Sequence, residues 1–372
     1  MSKTGIAYLP LHPGKAPRWL FTRMVDLAEV ILEISVDEFG TKKTLERFSD
    51  PFWFQAFSCV LGFDWHSSGT TTVTCGAVKE ALLANDIGIY AAGGKGGASH
   101  QTGSQIERIC EEYAISHEVE RVLRKSSKLA AKVDNAALQD GHELYHHVII
   151  FDHHGNWSVV QQGMNEDLGF ARRYHWSSNG LERFDEEPHT SILGERVERV
   201  LDLTSPMSRE NKVTCCELVK ENPRRTQELV RAAARGPQRS ILEWTADGER
   251  VPAVLQMPRD INWSVLRRCY EIQPRNFEEL LSIEGVGPST VRALSYTAEL
   301  IYGKEPSWKD PVKFSFAVGG KDGVPYPVDR KAMDAAIQVL KQGIEEAKIG
   351  NREKLDALQR LRRFVPPDYQ WH

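Results

Sequence analysis

Residues 279–301 read ELLSIEGVGPSTVRALSYTAELI. Val291, Leu294, Ala298 and Ile301 recur at i, i+3, i+7 and i+10 and so share one helical face, while Leu280, Leu281 and Ile283 supply apolar surface just before them. Between the two patterns stands Gly285-Val286-Gly287, too short for anything but a tight turn, in residues that tolerate positive φ and let another backbone come close. Pro288 then fits the first position of the second helix, where a missing N–H costs nothing. Two short helices packed around a glycine turn are expected.

The free amides at the start of the second helix, Pro288-Ser289 onward, form a ready cradle for phosphate. The segment 279–303 resembles the helix-hairpin-helix motif, which grips a nucleic-acid backbone without reading its sequence. On that resemblance Gly285, Val286, Gly287, Pro288 and Ser289 are expected to touch DNA. The alternative is an ordinary αα-hairpin.

At 372 residues the chain is long enough for two domains. Its hydrophobic and charged fractions, 41% and 26%, are those of a globular protein. No apolar run approaches the roughly 20 residues of a membrane span, and the opening MSKTGIAYLPLHPGKAP lacks the charged-then-apolar order of a signal peptide. A cytoplasmic, nucleoid-associated protein without a membrane partner is expected. The six cysteines form no C-x-x-C pair, so no zinc ribbon or iron–sulfur spacing is visible. A net charge of −4 requires any contact with nucleic acid to be a local patch. Residues 209–239 offer one, with eight cations from Arg209 to Arg239 against four glutamates, although a solvated helix face would look the same.

The expected fold class is an α+β N-terminal domain, residues 1–190, followed by an all-α helix-hairpin-helix domain, residues 191–372. In the first, MVDLAEVILEISVDEFG reads as an amphipathic helix and FWFQAFSCVLGF as a buried element. ELYHHVIIFDHHGNWSVVQQGM reads as a β-hairpin turning at 152–156. In the second, SILGERVERVLDL, TQELVRAAAR, WSVLRRCYEI, FEELLSI, TVRALSYTAELIYG, DRKAMDAAIQVLKQGIEEAK and EKLDALQRLRRF all read as helices, punctuated by Gly and Pro.

Late in the chain Pro327-Val328-Asp329 opens a further amphipathic pattern. A glycine hairpin, a helix and then Pro-Val-Asp at a helix start is similar to the helix-hairpin-helix DNA glycosylase superfamily, and Asp329 corresponds by position to its catalytic aspartate. A carboxylate suits that chemistry, because breaking the bond between base and deoxyribose develops positive charge on the sugar. The base would first be flipped from the stack. Members that also cut the strand carry a lysine two residues after the second hairpin glycine; here Ser289 stands there, which implies a monofunctional, base-excising repair hydrolase. The alternative for Asp329 is a helix N-cap.

The first half has polar constellations of its own. Gly93-Gly94-Lys95-Gly96 follows the strand-like IGIYAA but fails the Walker A pattern; it reads as a backbone cradle with Lys95 as point charge, or as a loop without a ligand. Arg172 and Arg173, among Tyr174 and Trp176, are candidate phosphate ligands. A second candidate site for a metal-dependent, structure-specific nuclease gathers His66, Ser67, Ser68, Asp134, Asn135, Asp140 and Gln162. The histidines at 146, 147, 153, 154, 175 and 189 are not expected to hold a metal, since neighbours in a strand face opposite ways, and no cofactor is expected. DWHSSGTTT, GGKG, AKVDNAALQDG, VVQQGMN, ARRYHW and GGKDG with PVDR together resemble a prokaryotic family of unknown function, which brings no activity with it. The expected function is a DNA glycosylase acting on a damaged or modified base. The nuclease and a non-enzymatic DNA-binding protein stand as alternatives.

Overall fold

The computed structural model describes residues 9–11, 16–62, 68–235, 256–258, 260–312, 338, 340–347 and 350–364. Three helices open the fold. They are α1 (Arg18–Ser49), kinked at Gly40, then α2 (Pro51–Leu61) and α3 (Gly69–Ala84). Residues 52–61 of the apolar run lie in α2, because Asp50 caps it by accepting from the Phe52 and Trp53 amides, Pro51 occupies its first turn, and left-handed Gly62 ends it. β1 (Ile89–Lys95) leads into the short α4 (Gly97–His100), α5 (Thr102–Glu112) and α6 (His117–Lys132), and a π-turn at Val133–Ala137 follows directly. Ser116 caps α6 at its acidic first turn, and Lys132 complements the dipole at its last.

After β2 (Leu138–Gln139) come β3 (Glu143–Asp152), β4 (Trp157–Asn165), β5 (Phe170–Ser177) and β6 (His189–Leu193), then β7 (Leu201–Asp202). The main sheet is antiparallel in the order β1-β3-β4-β5-β6, and β2 pairs with β7. The β3–β4 hairpin lies where the sequence places it. Asp152 closes it by accepting from the His154 and Asn156 amides at 3.0 and 2.9 Å, with Gly155 at φ 85°.

The second half is helical: α7 (Arg209–Lys220), α8 (Pro223–Arg235), α9 (Trp263–Ile272), α10 (Phe277–Ser282), α11 (Pro288–Tyr302) and α12 (Asn351–Phe364). One expected helix is absent. Within SILGERVERVLDL, Ser191–Leu193 finish β6 and Leu201–Asp202 form β7. The open edge of β5 offers Tyr174 and Arg173 as partners for Ile192 and Leu193, and that pairing overrides the helical spacing.

The sheet is covered on both faces. Ile89, Ala91, Val148, Ile150 and Val160 pack under α1–α3, together with Leu340, Ile344 and Leu361 from the end of the chain. On the other face Ile149, Phe151, Val159 and Trp176 meet Leu123 and Leu129 of α6, and the same core runs on through Leu218, Cys269, Leu280 and Leu294. The mixed α/β part and the helical part therefore share one apolar core across the boundary expected near residue 190. Among the described residues no helix is long and apolar enough to cross a membrane.

Candidate nucleic-acid interface

α10 ends at Ser282, and Ile283, Val286 and Leu280 pin the following turn to the core. Gly285 has φ +87°, and a Cβ there would lie 2.7 Å from Val265 Cγ2, so glycine is required twice over. Gly287 is different. Its backbone is extended, and a Cβ would meet only the Gly285 carbonyl, at 4.0 Å. It is the N-cap of α11 and brings no side chain to cap the first-turn amides, while Pro288 takes the first position.

α6 crosses to this turn. Lys128 Nζ donates to the Ser282 carbonyl at 2.8 Å and Lys132 Nζ to the Val286 carbonyl, so two ammonium groups hold the hairpin by its main chain. Burial lowers the Lys132 pKa, and neighbouring Lys128 adds to that. Beside the hairpin lies a cleft of about 950 Å³, walled by Ser99 and His100 of α4, by Arg124, Lys125 and Lys128 of α6, and by Ser282. Arg124 is countered by Glu120 at 3.0 Å. The cleft thus joins two segments singled out in the sequence, the glycine hairpin and the helix that follows the glycine loop.

Residues 5–328 match a family described as proteins of unknown function, DUF763. The chain belongs to the DUF763 family. In this DUF763 chain the matched stretch takes in both walls of the cleft and stops one residue short of Asp329. No curated protein and no solved structure matches it. Asp329, with the 327–329 segment around it, lies outside the described residues, as do His66 and Ser67.

The glycine loop of the DUF763 chain serves the sheet as much as any ligand. A Cβ on Gly93 would fall 2.1 Å from the His147 carbonyl, its amide donates to Gln105 Oε1 at 2.9 Å, and the Gly96 amide donates to the Tyr145 carbonyl at 2.7 Å. Lys95 is exposed, with its ammonium 5.7 Å from the centre of the Tyr145 ring.

Arg172 and Arg173 are not surface phosphate ligands, for both are wholly buried. Arg172 joins Asp140 at 2.8 Å to Asp310 at 2.7 Å. Arg173 lies against Phe54 and donates to Gln55 at 3.0 Å. Burial by itself would raise the Asp140 carboxyl, but Arg172, His142 and the Tyr174 hydroxyl hold it well below the usual carboxylate range.

The residues of the second candidate site are divided by the sheet. Asp134 accepts from Gln161 Nε2 at 2.6 Å, from Trp176 Nε1 at 2.9 Å and from His189, on the α6 face. Burial raises its pKa, and His189 opposes the rise. Gln162 turns to the α3 face, where it bonds the Ser68 carbonyl at 2.8 Å and the Thr71 hydroxyl. Asn135 is exposed and lines the cleft. Among the described residues no three His, Cys, Asp or Glu side chains are grouped to hold a metal ion.

Sequence reasoning missed α6 as the cationic element. It looked to residues 209–239, where Arg209 pairs with Glu186 and Lys212 is buried against Asp185 at 3.1 Å. The signal was available in RVLRKSSKLAAK, residues 121–132, which has five cations and no carboxylate.

Proposed function

We propose that this protein binds DNA through the α10–α11 hairpin and the cleft beside it, and that it excises a base from the bound strand. The observation that carries the reading is the pair of α6 lysines on the main chain of the hairpin, Lys128 at Ser282 and Lys132 at Val286 just before the uncapped start of α11, beside a cleft that Lys128 and Ser282 also line. Main-chain amides and ammonium groups are what a phosphate backbone needs, and neither reads sequence. The order of glycine hairpin, helix and Pro327-Val328-Asp329 supports the glycosylase as the reaction, with Asp329 stabilising the cationic sugar and Ser289 in place of a strand-cutting lysine.

The test uses labelled duplexes carrying modified bases, incubated with the full chain in EDTA and then treated with alkali. Abasic sites revealed by alkali, and lost in Asp329→Asn with binding intact, are the expected result. Excision that survives Asp329→Asn unchanged removes that residue from the reaction, and failure to bind any duplex removes the reading as a whole.

A further inference from the structure

Four side chains form a continuous hydrogen-bonded line into the cleft. Ser127 Oγ lies 2.7 Å from His147 Nε2, His147 Nδ1 lies 2.8 Å from Gln161 Oε1, and Gln161 Nε2 donates to Asp134 Oδ2 at 2.6 Å. Ser127 and His147 are both at the cleft wall. We propose that Ser127 is a nucleophile, His147 its general base, and the substrate a phosphate diester held by the α6 cations.

The line has a direction. Asp134 Oδ2 also receives the Trp176 indole N–H, so it presents acceptor character to Gln161 and turns the amide NH2 toward itself. The Gln161 oxygen is left facing His147 and fixes the proton on Nδ1. Nε2 is then an unprotonated base aimed at the Ser127 hydroxyl, the arrangement of a nucleophile, a base and a third group that orients the base. Burial lowers the His147 pKa to about 4, which keeps that nitrogen free at neutral pH. A helical serine commonly returns its hydroxyl to the carbonyl four residues back, whereas Ser127 is engaged with an imidazole from another element. Lys125 and Lys128 line the same cavity with Arg124, which Glu120 and Glu107 already counter, and Glu143 is the carboxylate of the lining, so the two lysines favour an anionic ester.

In the first step the Ser127 hydroxyl proton passes to His147 Nε2, the Oγ–P bond forms and the bond from phosphorus to a sugar oxygen breaks. The departing oxygen takes the proton from the imidazolium. Water then gives a proton to Nε2 as its oxygen bonds phosphorus, and Ser127 Oγ leaves and recovers that proton. The sum is hydrolysis of one diester by one water. This goes beyond base excision, because it cuts the strand. The choice of a nucleic-acid diester rests on the DNA-binding reading, whereas the nucleophile does not. Gln161 and Asp134 are positioning residues.

The nucleophile is tested with diisopropyl fluorophosphate on the full chain, read by peptide mass spectrometry. An adduct on Ser127 with loss of fluoride is expected, absent in Ser127→Ala and formed about 100-fold more slowly in His147→Gln. A folded wild type that takes no label there, or labels at an unchanged rate in His147→Gln, overturns the proposal. Gln161→Glu and Gln161→Met both remove the amide donor to Asp134, but only glutamate keeps an oxygen for His147 Nδ1. Labelling retained in the first and lost in the second supports the positioning role, and equal rates overturn it. An end-labelled oligonucleotide quenched in denaturant should leave a covalent adduct at Ser127. Labelling by the fluorophosphate without such an adduct overturns the diester substrate, and anisotropy on the same oligonucleotide shows whether it was bound, so failure of the clamp is seen separately.

Discussion

Lys132 donates its ammonium proton to the carbonyl of Val286, the residue between the two hairpin glycines. α6 carries both that lysine and Ser127, so one helix links the main chain of the turn to the wall of the cleft. Rotation of α6 would disturb both.

Removing cations from α6 should weaken binding to every DNA sequence alike. For Lys125→Ala with Lys128→Ala, anisotropy titrations over a salt series are expected to show a slope of log K against log salt shallower by about 1–2. An unchanged slope places the phosphates elsewhere.

The two glycines of the turn should separate stability from binding. Gly285→Ala meets Val265 and a positive φ and is expected to lose about 1–3 kcal/mol in chemical denaturation. Gly287→Ala should fold as the parent does, since nothing but a carbonyl at 4.0 Å lies near its Cβ. A bulky residue at 287 should lower DNA affinity without lowering the denaturation midpoint.

Arg172→Ala would leave Asp140 and Asp310 without their shared cation in the interior. Breaking a buried pair from one side costs about 3–5 kcal/mol, which urea denaturation would read. The salt dependence of DNA binding should not move.

Acid should destabilise the protein through its buried histidines and through Asp140. His147, with a folded pKa of about 4, binds its proton more readily when unfolded, where the value is about 6.5, so stability is full above that value and falls as pH drops toward 4. The span corresponds to about 3 kcal/mol. Asp140, depressed by Arg172, contributes stability above the unfolded carboxylate value of about 3.9 that is lost as pH falls further. Denaturation midpoints across pH 3–8 check the decline, and His147→Gln should remove its own share of the upper part, since burial depresses His146 and His175 in the same sense.

Sequence carried those features whose cause is local. β-Branched and aromatic runs on either side of Asp152–Asn156 dictate a hairpin, and Gly285 with Pro288 dictates a turn entering a helix. It failed where the cause lies across the fold. Ile192 and Leu193 join a strand because β5 is waiting, and Arg172 is buried because Asp310, far along the chain, comes to meet it. The Ser127–His147 contact joins a helix to a strand, and no spacing rule encodes that. Its trace is the pair Ser126-Ser127 on the buried side of α6 beside Leu123 and Ala130, where an ordinary amphipathic helix would be wholly apolar.

The unbroken core also bears on how the chain is made. The face of the sheet under α1–α3 also takes in Leu340, Ile344 and Leu361, and the core of the opposite face runs on into Leu218, Cys269, Leu280 and Leu294. During synthesis the strands therefore emerge after α1–α3 and α6 but long before the late residues that finish both cores. Nascent chains halted near residue 200 should hold sticky surface and engage chaperones, and release from them should await the final helix.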